Sequence, residues 1–214
     1  MTRPDPIVPL SPEQLASLRD DTVSHYEQHA ARFWEGTKDH DVSQNVEALL
    51  RHLGDGHHDI LDVGCGPGRD LATFVAMGHR PVGLEAAPAF VAMAREHAAV
   101  EVWHQDLLAL DLPAERFDGV FANAVLFHVP SQELPRVLDE LHATLRPGGV
   151  LFCSNPRGPD VEQQNGLRYG CYLRLETWRR YMTAAGFTEL EHYYRPPGRP
   201  RDEQPWLATV WRRP

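Results

Sequence analysis

The segment ILDVGCGPGRD, at residues 60–70, places an acid and three glycines where a strand would turn into a helix. Glycine-rich turns let the backbone approach a ligand closely. Phosphate is disfavoured, because a dinucleotide fingerprint needs its third glycine at position 69, which is Arg69, and a P-loop needs a lysine that is missing here. Asp62 would repel a pyrophosphate but suits a cationic amine or a sulfonium. The glycines are Gly64, Gly66 and Gly68.

Two further acids follow the next two expected strands, Glu85 in VGLEAAP and Asp106 in VWHQDLL. In an open parallel sheet, ligands bind outside the carboxyl ends of the strands, and an acid in the position of Glu85 can accept hydrogen bonds from ribose hydroxyls. Each acid also has a plainer interpretation, as a solvated loop carboxylate for Glu85 and as a helix or turn cap for Asp106. Together with Asp62, they predict one elongated binding site along the sheet edge.

Neither the histidines nor the cysteines form a pattern typical of metal binding. His25 and His29 are four residues apart on an expected helix, but the zinc motif HExxH needs its glutamate at position 26, and the glutamate here is Glu27. The three cysteines are widely spaced and include no CxxC pair, which favours small buried thiols. We therefore predict no metal site and no disulfide framework.

The elements that would carry these acids alternate between strand and helix, which indicates parallel pairing with helices on both faces. Two C-terminal strands follow one another with no helix between them, so they should pair antiparallel. We predict an α/β, Rossmann-like, doubly wound sheet of seven mostly parallel strands with an antiparallel last strand. Residues 1–40 would form an N-terminal tail and a cap helix that starts after Ser11, and residues 41–214 a single globular domain.

Composition narrows the possible partners. The chain has 214 residues, of which 42% are hydrophobic, and no run of about 18 apolar residues that would span a membrane. Its N-terminus lacks the apolar core of a signal peptide, so we expect a cytoplasmic protein that does not enter a membrane. The net charge of −9 argues against nucleic-acid binding. We expect a small-molecule substrate and either a monomer or a homodimer.

The pattern acid-x-Gly-x-Gly-x-Gly that starts at Asp62 resembles motif I of the class I S-adenosylmethionine-dependent methyltransferases. The segment ERFDGVFANAVLFHV resembles the family's motif at the fourth strand, which Asp118 starts and Asn123 ends. The order of elements and the reversed last strand match that family as well, so the resemblance covers roughly residues 40–214. It implies a methyltransferase with S-adenosyl-L-methionine as its cofactor.

The resemblance also assigns parts of the cofactor to residues. Asp62 and the glycine turn would face its amino-acid end, Glu85 its ribose, and Asp106 its adenine amino group with Leu107 beside the ring. Aromatic residues of the N-terminal helix would cover it, although the same residues could simply pack that helix onto the domain. The expected cofactor-binding set is Asp62, Gly64, Cys65, Gly66, Gly68, Glu85, Ala86, Asp106, Leu107, Asn123, Tyr26 and Trp34.

His128, in LFHVP after the fourth strand, is the best single candidate for a base or a substrate contact. Small-molecule members of the family often have a histidine or an aromatic residue here, but a structural histidine bonded to the backbone is the alternative. Positioning alone can supply much of the rate of methyl transfer, and a base is needed only if the nucleophile is protonated. The predicted catalytic residues are His128 and Asn123, the latter near the sulfonium.

The segment from residue 155 to residue 178 looks like a long polar loop after the fifth strand, and loops of this length often bind ligands. An arginine there could hold a carboxylate through two hydrogen bonds. Simple surface exposure is the alternative for each member. The expected substrate-binding residues are His40, Asn45, His128, Asn155, Arg157, Arg168, Tyr169, Tyr172 and Tyr193.

A finer resemblance concerns the substrate. The segments FWEGTKDHDVSQN, FHVPSQELPRVL and HYYRPPGRPRDEQPWLATVW are similar to a bacterial group of small methyltransferases, itself similar to the methyltransferase half of ovothiol biosynthesis enzymes. It implies a small carboxylate-bearing acceptor, such as an imidazole nitrogen of a thiolated histidine. Two alternatives stay open: methylation of protein or RNA, and a non-catalytic cofactor-binding regulator or partner subunit.

Overall fold

The centre of the protein is a seven-stranded sheet with a separate two-stranded hairpin beside it. The computed structural model describes residues 4–214. The strands are β1 (Asp59–Val63), β2 (Arg80–Glu85), β3 (Val102–His104), β4 (Phe117–Asn123), β5 (Leu145–Pro156), β6 (Val161–Asn165), β7 (Arg168–Tyr172), β8 (Thr188–Arg195) and β9 (Trp206–Arg212). The helices are α1 (Pro12–Gln28), α2 (Ala30–Thr37), α3 (Ser43–Leu50), α4 (Arg69–Ala76), α5 (Pro88–Ala98), α6 (Leu134–Thr144) and α7 (Leu175–Ala184).

The order of the main sheet is β3-β2-β1-β4-β5-β9-β8. The first five of these strands pair parallel, because a helix or a long connection returns the chain before each new strand. No α-helix separates β8 from β9, and β9 runs antiparallel to both of its neighbours. The predicted α/β fold with a reversed last strand is confirmed.

The core lies on both faces of the sheet, because alternate residues of a strand point to opposite sides. On β1, Leu61 packs in the cluster under α6 and α7, whereas Ile60 packs in the cluster under α3 and α4. Helix α6 presents apolar residues with helical spacing to this core: Leu134, Val137, Leu138 and Leu141. In the described part of the chain, no helix is long and apolar enough to cross a membrane.

The prediction of a long loop after β5 is partly wrong, because β6 and β7 form an antiparallel hairpin within that segment. The β6 strand is exposed along most of its length, so it lacks the apolar alternation that predicts a strand. The pair Asn165-Gly166, a known hairpin signal, leads into the turn, where Gly166 has a φ of +62°.

The N-terminal helix begins as predicted but is shorter than expected. The Ser11 hydroxyl accepts a hydrogen bond from the Gln14 amide, and the Gln14 side chain accepts one from the Ser11 amide, which forms a capping box. Helix α1 then ends at Gln28, and α2 starts at Ala30. At the break, the His29 ring contacts the His25 carbonyl at 2.7 Å, while the His29 amide bonds to the Tyr26 carbonyl. The ring thus takes the carbonyl that the amide would use in a continuous helix.

Candidate active site

A cavity of about 830 Å³ lies at the carboxyl edge of the main sheet. This edge carries the tips of β1, β2 and β4, and the strand order reverses between β1 and β4, which is where open α/β sheets bind ligands. The volume falls within the usual range for small-molecule sites, roughly 300–1,000 Å³. Helices α1 and α2 and Arg168, the first residue of β7, contribute to its walls.

The glycine turn between β1 and α4 forms one wall of this cavity. The amides of Gly64 and Cys65 donate to the Leu84 carbonyl, which ties the turn to β2. Gly66 has a φ of +53°, and a Cβ atom placed there would meet only Phe33, at 3.9 Å, so the turn leaves free space above itself. Gly68 instead packs on α5, because a Cβ atom at that position would lie 2.8 Å from the Ala94 Cα.

Glu85 closes the turn from the end of β2. One carboxylate oxygen accepts the Gly66 amide at 2.9 Å, and the other accepts the Ala86 and Ala87 amides at 2.8 Å each. Burial raises the pKa of Glu85, and these three amides oppose the shift. A carboxylate offers about four lone-pair sites, so roughly one remains for a ligand hydroxyl. Glu85 therefore shapes the turn and keeps an accepting position at the cavity.

Asp62 lies behind the turn and is only 2% exposed. Its Oδ2 atom is buried and has no hydrogen-bond partner. Burial raises the pKa of Asp62 well above its usual range, helped by the Asp70 and Glu85 carboxylates and opposed by Arg69. A cationic group in the cavity would offset this concentration of carboxylates, as the sequence suggested.

Asp106 follows β3 at the far end of the cavity. One of its oxygens accepts the Leu108 amide at 2.8 Å, which caps the short 3₁₀ turn at Leu107–Ala109. The other oxygen lies 3.3 Å from the Arg19 Nε atom of α1. Asp106 thus performs the capping role that was its plainer interpretation, and it also faces the cavity beside Leu107.

Asn123 ends β4 inside a continuous set of hydrogen bonds. Its side-chain oxygen accepts from the Asn45 amide group at 3.0 Å, and its own amide group donates to Asp70 at 3.3 Å. Asn45 is 1% exposed and accepts the Tyr193 hydroxyl proton at 2.9 Å. Asp70 is bound by Arg69 through two hydrogen bonds. These contacts fix the Asn123 side chain at the cavity wall from three different elements.

Aromatic side chains of α1 and α2 cover the turn. Tyr26, Phe33 and Phe90 have ring centroids 5.2–5.8 Å apart in tilted and edge-on arrangements. Trp34 stacks on His97 at 4.3 Å, and the His97 ring is bonded to the Pro67 carbonyl. The expected cover residues therefore both line the cavity and pack their helices onto the domain.

His128 sits at the boundary between α1 and the hairpin. Its Nδ1 atom lies 2.6 Å from the Tyr169 carbonyl, and its Nε2 atom lies 2.9 Å from the Tyr26 hydroxyl. Burial lowers the pKa of His128 to about 4, the Tyr169 carbonyl opposes the shift, and the nearby Arg168 and His25 side chains add to it. The imidazole is therefore neutral at pH 7.

Arg168 begins β7 and lines the cavity close to the same pair. Its guanidinium group interacts with the Tyr26 hydroxyl, and within residues 4–214 it forms no ion pair with a carboxylate. The hairpin that carries it is tied to α1 by Thr22, whose hydroxyl accepts the Tyr169 amide at 3.1 Å. Arg168 is thus a positive charge at the cavity with no acidic partner in the described part of the chain.

Residues 60–149 match the family model described as a methyltransferase domain. In the solved structures, the Burkholderia thailandensis 1,6-didemethyltoxoflavin-N1-methyltransferase, with bound 1,6-didemethyltoxoflavin and S-adenosylhomocysteine, is similar with a TM-score of 0.77 and 26% identity, over 97% of this chain and 93% of that one. These matches support the predicted likeness of the chain to the class I S-adenosylmethionine-dependent methyltransferases. The predicted family and its cofactor are confirmed.

Curated relatives of this methyltransferase include the trans-aconitate 2-methyltransferase of Azoarcus sp., 37% identical over 57% of this chain and 48% of that one. The ubiquinone biosynthesis O-methyltransferase of Methylobacterium nodulans is 27% identical over 64% of each chain. The chain therefore spans about half to two thirds of the length of these relatives.

S-adenosylmethionine fits the residues present. The unpartnered oxygen of Asp62 and the surrounding carboxylates favour the positive amino and sulfonium groups, and the spare accepting site of Glu85 suits a ribose hydroxyl. Asp106 and Leu107 offer a polar atom and an apolar surface for a purine. Among the described residues, no three His, Cys, Asp or Glu side chains are arranged to hold a metal ion.

Most of the predicted cofactor set lines one cavity. Its members there are Gly64, Cys65, Gly66, Glu85, Ala86, Asp106, Leu107, Asn123, Tyr26 and Trp34, whereas Asp62 and Gly68 lie behind the wall. Of the predicted substrate set, His40, His128 and Arg168 line it as well. The two predicted catalytic residues, Asn123 and His128, both face this space.

The other predicted substrate contacts do not line the cavity, and the polar groups of most of them bond to other parts of the protein. Asn155 accepts the Phe127 amide, Arg157 donates to the carbonyls of Gln204 and Arg201, and the Tyr172 hydroxyl accepts from Asn165. The Tyr169 ring is buried, with only its carbonyl at His128. Asn45 and Tyr193 stand behind Asn123 and position it.

Several cavity residues were not expected from the sequence. Arg195, the last residue of β8, and Trp206, the first residue of β9, both line the cavity. They are paired with each other, and the order of the strands brings them to this edge of the sheet. Arg19 comes from the first half of α1, and Phe127 from the 3₁₀ turn after β4. Of these, only Phe127 carried a usable signal, since it stands beside His128 in the fourth-strand motif.

Proposed function

We propose that this methyltransferase moves the methyl group of S-adenosylmethionine to a small acceptor that bears a carboxylate. The observation that carries the proposal is Arg168, a guanidinium at the cavity wall with no ion-pair partner among the described residues. Arginine binds a carboxylate through two parallel hydrogen bonds. A carboxylate on Arg168 would hold the acceptor against Tyr26 and His128.

The contribution of the chain to this reaction is mainly positioning. S-adenosylmethionine, when bound, supplies an electrophilic methyl group on a sulfonium. Asn123, fixed by Asn45 and Asp70, would line the reaction space, and α1 would exclude water from above. Orienting two reactants in this way supplies a large part of the acceleration of a displacement reaction.

A small acceptor is favoured over protein or RNA. Helix α1 and the hairpin cover the cavity and are bonded to each other through Thr22, which leaves a pocket rather than an open groove. The net charge of −9 does not favour RNA. Two relatives are named for small molecules, one for trans-aconitate, a carboxylate, and one for a nitrogen of 1,6-didemethyltoxoflavin.

Within this class, an imidazole nitrogen of a thiolated histidine is the acceptor we propose. Such a molecule has a carboxylate for Arg168 and a flat ring that suits the aromatic side of the cavity at Tyr26 and Phe127. Its ring nitrogen would then be the methylated atom.

The test is incubation of the protein with methyl-labelled S-adenosylmethionine and a whole cell extract, followed by separation of small molecules from macromolecules and mass spectrometry, with 2-mercaptohistidine as a defined probe. A single labelled small product is expected. Arg168→Gln should raise the KM for that acceptor about 10- to 100-fold, since a hydrogen-bonded charge contributes about 1.5–3 kcal/mol. Its affinity for S-adenosylhomocysteine should stay unchanged.

Arg32→Gln is the matched control, because Arg32 is exposed on α2 and does not line the cavity. Label found only in protein or RNA would replace the small acceptor with a macromolecule. Cofactor binding without any labelled product would instead favour a non-catalytic role. Labelling of other carboxylates but not of 2-mercaptohistidine would reject only the proposed acceptor.

A further inference from the structure

Three groups form a chain of hydrogen bonds from the cavity into the protein: the Tyr26 hydroxyl, the His128 ring and the Tyr169 carbonyl. A carbonyl can only accept, so the His128 Nδ1 atom must carry the proton in that contact. Because the ring is neutral, its Nε2 atom holds a lone pair and accepts from the Tyr26 hydroxyl. The direction of both bonds is thereby fixed.

This arrangement leaves neither nitrogen of His128 for a substrate, although the ring lines the cavity. Tyr26 is different, because its oxygen donates one proton to His128 and still has lone pairs to accept another. The Tyr26 hydroxyl also interacts with Arg168, the proposed carboxylate site. An acceptor held by Arg168 would therefore form its hydrogen bond with the Tyr26 oxygen and not with the imidazole nitrogens.

We propose that the Tyr26 oxygen is the catalytic group that takes the proton of the methyl acceptor, and that His128 acts through it as a positioning residue and final proton store. The inference rests on the proposed function, and it applies to an acceptor atom that carries a proton. It assigns to Tyr26 a role in proton transfer besides that of covering the cofactor.

The step balances in atoms and charge. The lone pair of the acceptor atom forms the new bond to the methyl carbon, and the carbon–sulfur electron pair leaves with sulfur. The acceptor proton passes to the Tyr26 oxygen as the Tyr26 proton passes to the His128 Nε2 atom. The products are neutral S-adenosylhomocysteine, the methylated acceptor and an imidazolium at His128, which loses its proton to water when the site opens.

Charges around Tyr26 and His128 link this proton transfer to binding of the acceptor. Arg168 on β7 and His25 on α1 lower the pKa of His128, while Glu85 and Tyr172 also face Tyr26. A carboxylate bound to Arg168 would offset its positive charge and raise the pKa of His128. His128 would then become a better proton acceptor only when the substrate is in place.

The scaffold holds the chain of groups together. Thr22 lies one helical turn before Tyr26 on the same face of α1 and accepts the Tyr169 amide. The Tyr26 ring packs edge-on against the His128 ring, with centroids 5.5 Å apart. The same helix therefore positions the phenol and holds Tyr169, the residue whose carbonyl orients the imidazole.

The first test needs no substrate. In nitrogen-15 spectra of the histidine-labelled full chain at pH 7, His128 should be the tautomer with the proton on Nδ1. Tyr26→Phe should shift the Nε2 resonance and leave the tautomer unchanged. Arg168→Gln should raise the pH at which His128 titrates. A proton on Nε2 at pH 7 would overturn the proposal.

The second test uses the labelled product of the extract assay. Tyr26→Phe should lower kcat about 100-fold or more, the usual contribution of a general base, with KM and the affinity for S-adenosylhomocysteine within about threefold. The acid limb of the kcat–pH profile, which reports His128, should disappear in Tyr26→Phe. Tyr194→Phe is the control, since Tyr194 lies outside the cavity, next to Arg201.

The outcomes separate the two proposals. Labelling by the wild-type protein together with an equally active Tyr26→Phe variant would overturn the relay and leave the proposed function standing. Absence of labelled small products with the wild-type protein would overturn the proposed function and, with it, the reaction that the relay serves. A kcat loss with an unchanged pH profile would show that Tyr26 only positions the substrate.

Discussion

The two halves of the cavity are built in different ways. The cofactor half consists of the turn at residues 64–68, Glu85 and Asp106, which follow three consecutive strands, and both carboxylates are held in place by backbone amides close to them in the chain. The acceptor half consists of Tyr26, Asn123, His128 and Arg168, side chains held by contacts between parts of the chain 41–147 residues apart. A shared family cofactor is thus met by local backbone geometry, and an individual acceptor by side chains that distant elements bring together.

Replacing Glu85 should cause the largest loss, which is a loss of cofactor binding. Glu85→Ala removes three accepting contacts from the turn, so we expect the affinity for S-adenosylhomocysteine to fall at least about 100-fold, at about 1.5–3 kcal/mol for each bond to a charged group. Calorimetry measures this, and Glu96→Ala on the exposed side of α5 is the control. A loss below threefold would mean that the turn keeps its shape without Glu85.

Low pH should reduce the free energy of unfolding through His128 in the acceptor half. The pKa of His128 is about 4 in the folded protein and about 6.5 when exposed, so below pH 6.5 the unfolded chain binds a proton that the folded chain does not. Stability is therefore lost as the pH falls from 6.5 towards 4, by about 2 kcal/mol at pH 5. Urea unfolding at pH 7.5 and pH 5 should show this loss in the wild type and His57→Gln, but not in His128→Gln. Equal losses in all three would contradict it.

Loss of the hydrogen bonds that hold Asn123 from behind should have a smaller effect on activity. Tyr193→Phe leaves the buried Asn45 oxygen without its donor, which should cost about 1–2 kcal/mol of stability. We expect kcat to fall about fivefold because Asn123 loses part of its support, and cofactor affinity to stay constant. Steady-state kinetics and calorimetry distinguish the two effects. A loss of cofactor affinity would show that the halves share this network.

The smallest effect is expected at the ion pair between α1 and the cofactor half. Arg19 and Asp106 are both partly exposed, and such pairs contribute about 0.2–1 kcal/mol. Arg19→Gln should therefore speed dissociation of S-adenosylhomocysteine about two- to fivefold in stopped-flow measurements. The difference from the wild type should vanish at about 1 M salt, where the screening length is near 3 Å. Persistence at high salt would point to packing of the Arg19 side chain instead.

The difference between the halves also explains what the sequence could predict. Glu85 and Asp106 were identifiable because each stands at the end of a short apolar strand, and parallel pairing brings such ends to one edge. The mostly parallel pairing followed from the alternation of strands and helices, and the reversed last strand from the missing helix before it. These features depend on local patterns only.

The acceptor half depended on contacts that no local pattern records. The contact of His128 with Tyr26 joins residues 102 positions apart, and Arg168 reaches the cavity only because the missed β6–β7 hairpin folds over α1. Asn155 and Arg157 were expected to bind substrate, yet the carbonyls and amides around them satisfy their side chains first. Residue type alone could not separate these polar side chains from Arg168.

Helix α1 touches both halves, and this has a kinetic consequence. Glu27 accepts the Ala89 amide at 2.7 Å beside the cofactor half, while Thr22 binds the hairpin beside the acceptor half. One helix therefore borders both compartments, and we expect both reactants to exchange only when it lifts. Turnover should then follow a compulsory order, in which the deeper-lying nucleoside enters first and departs last, and the lifting of a single helix sets the pace of product release.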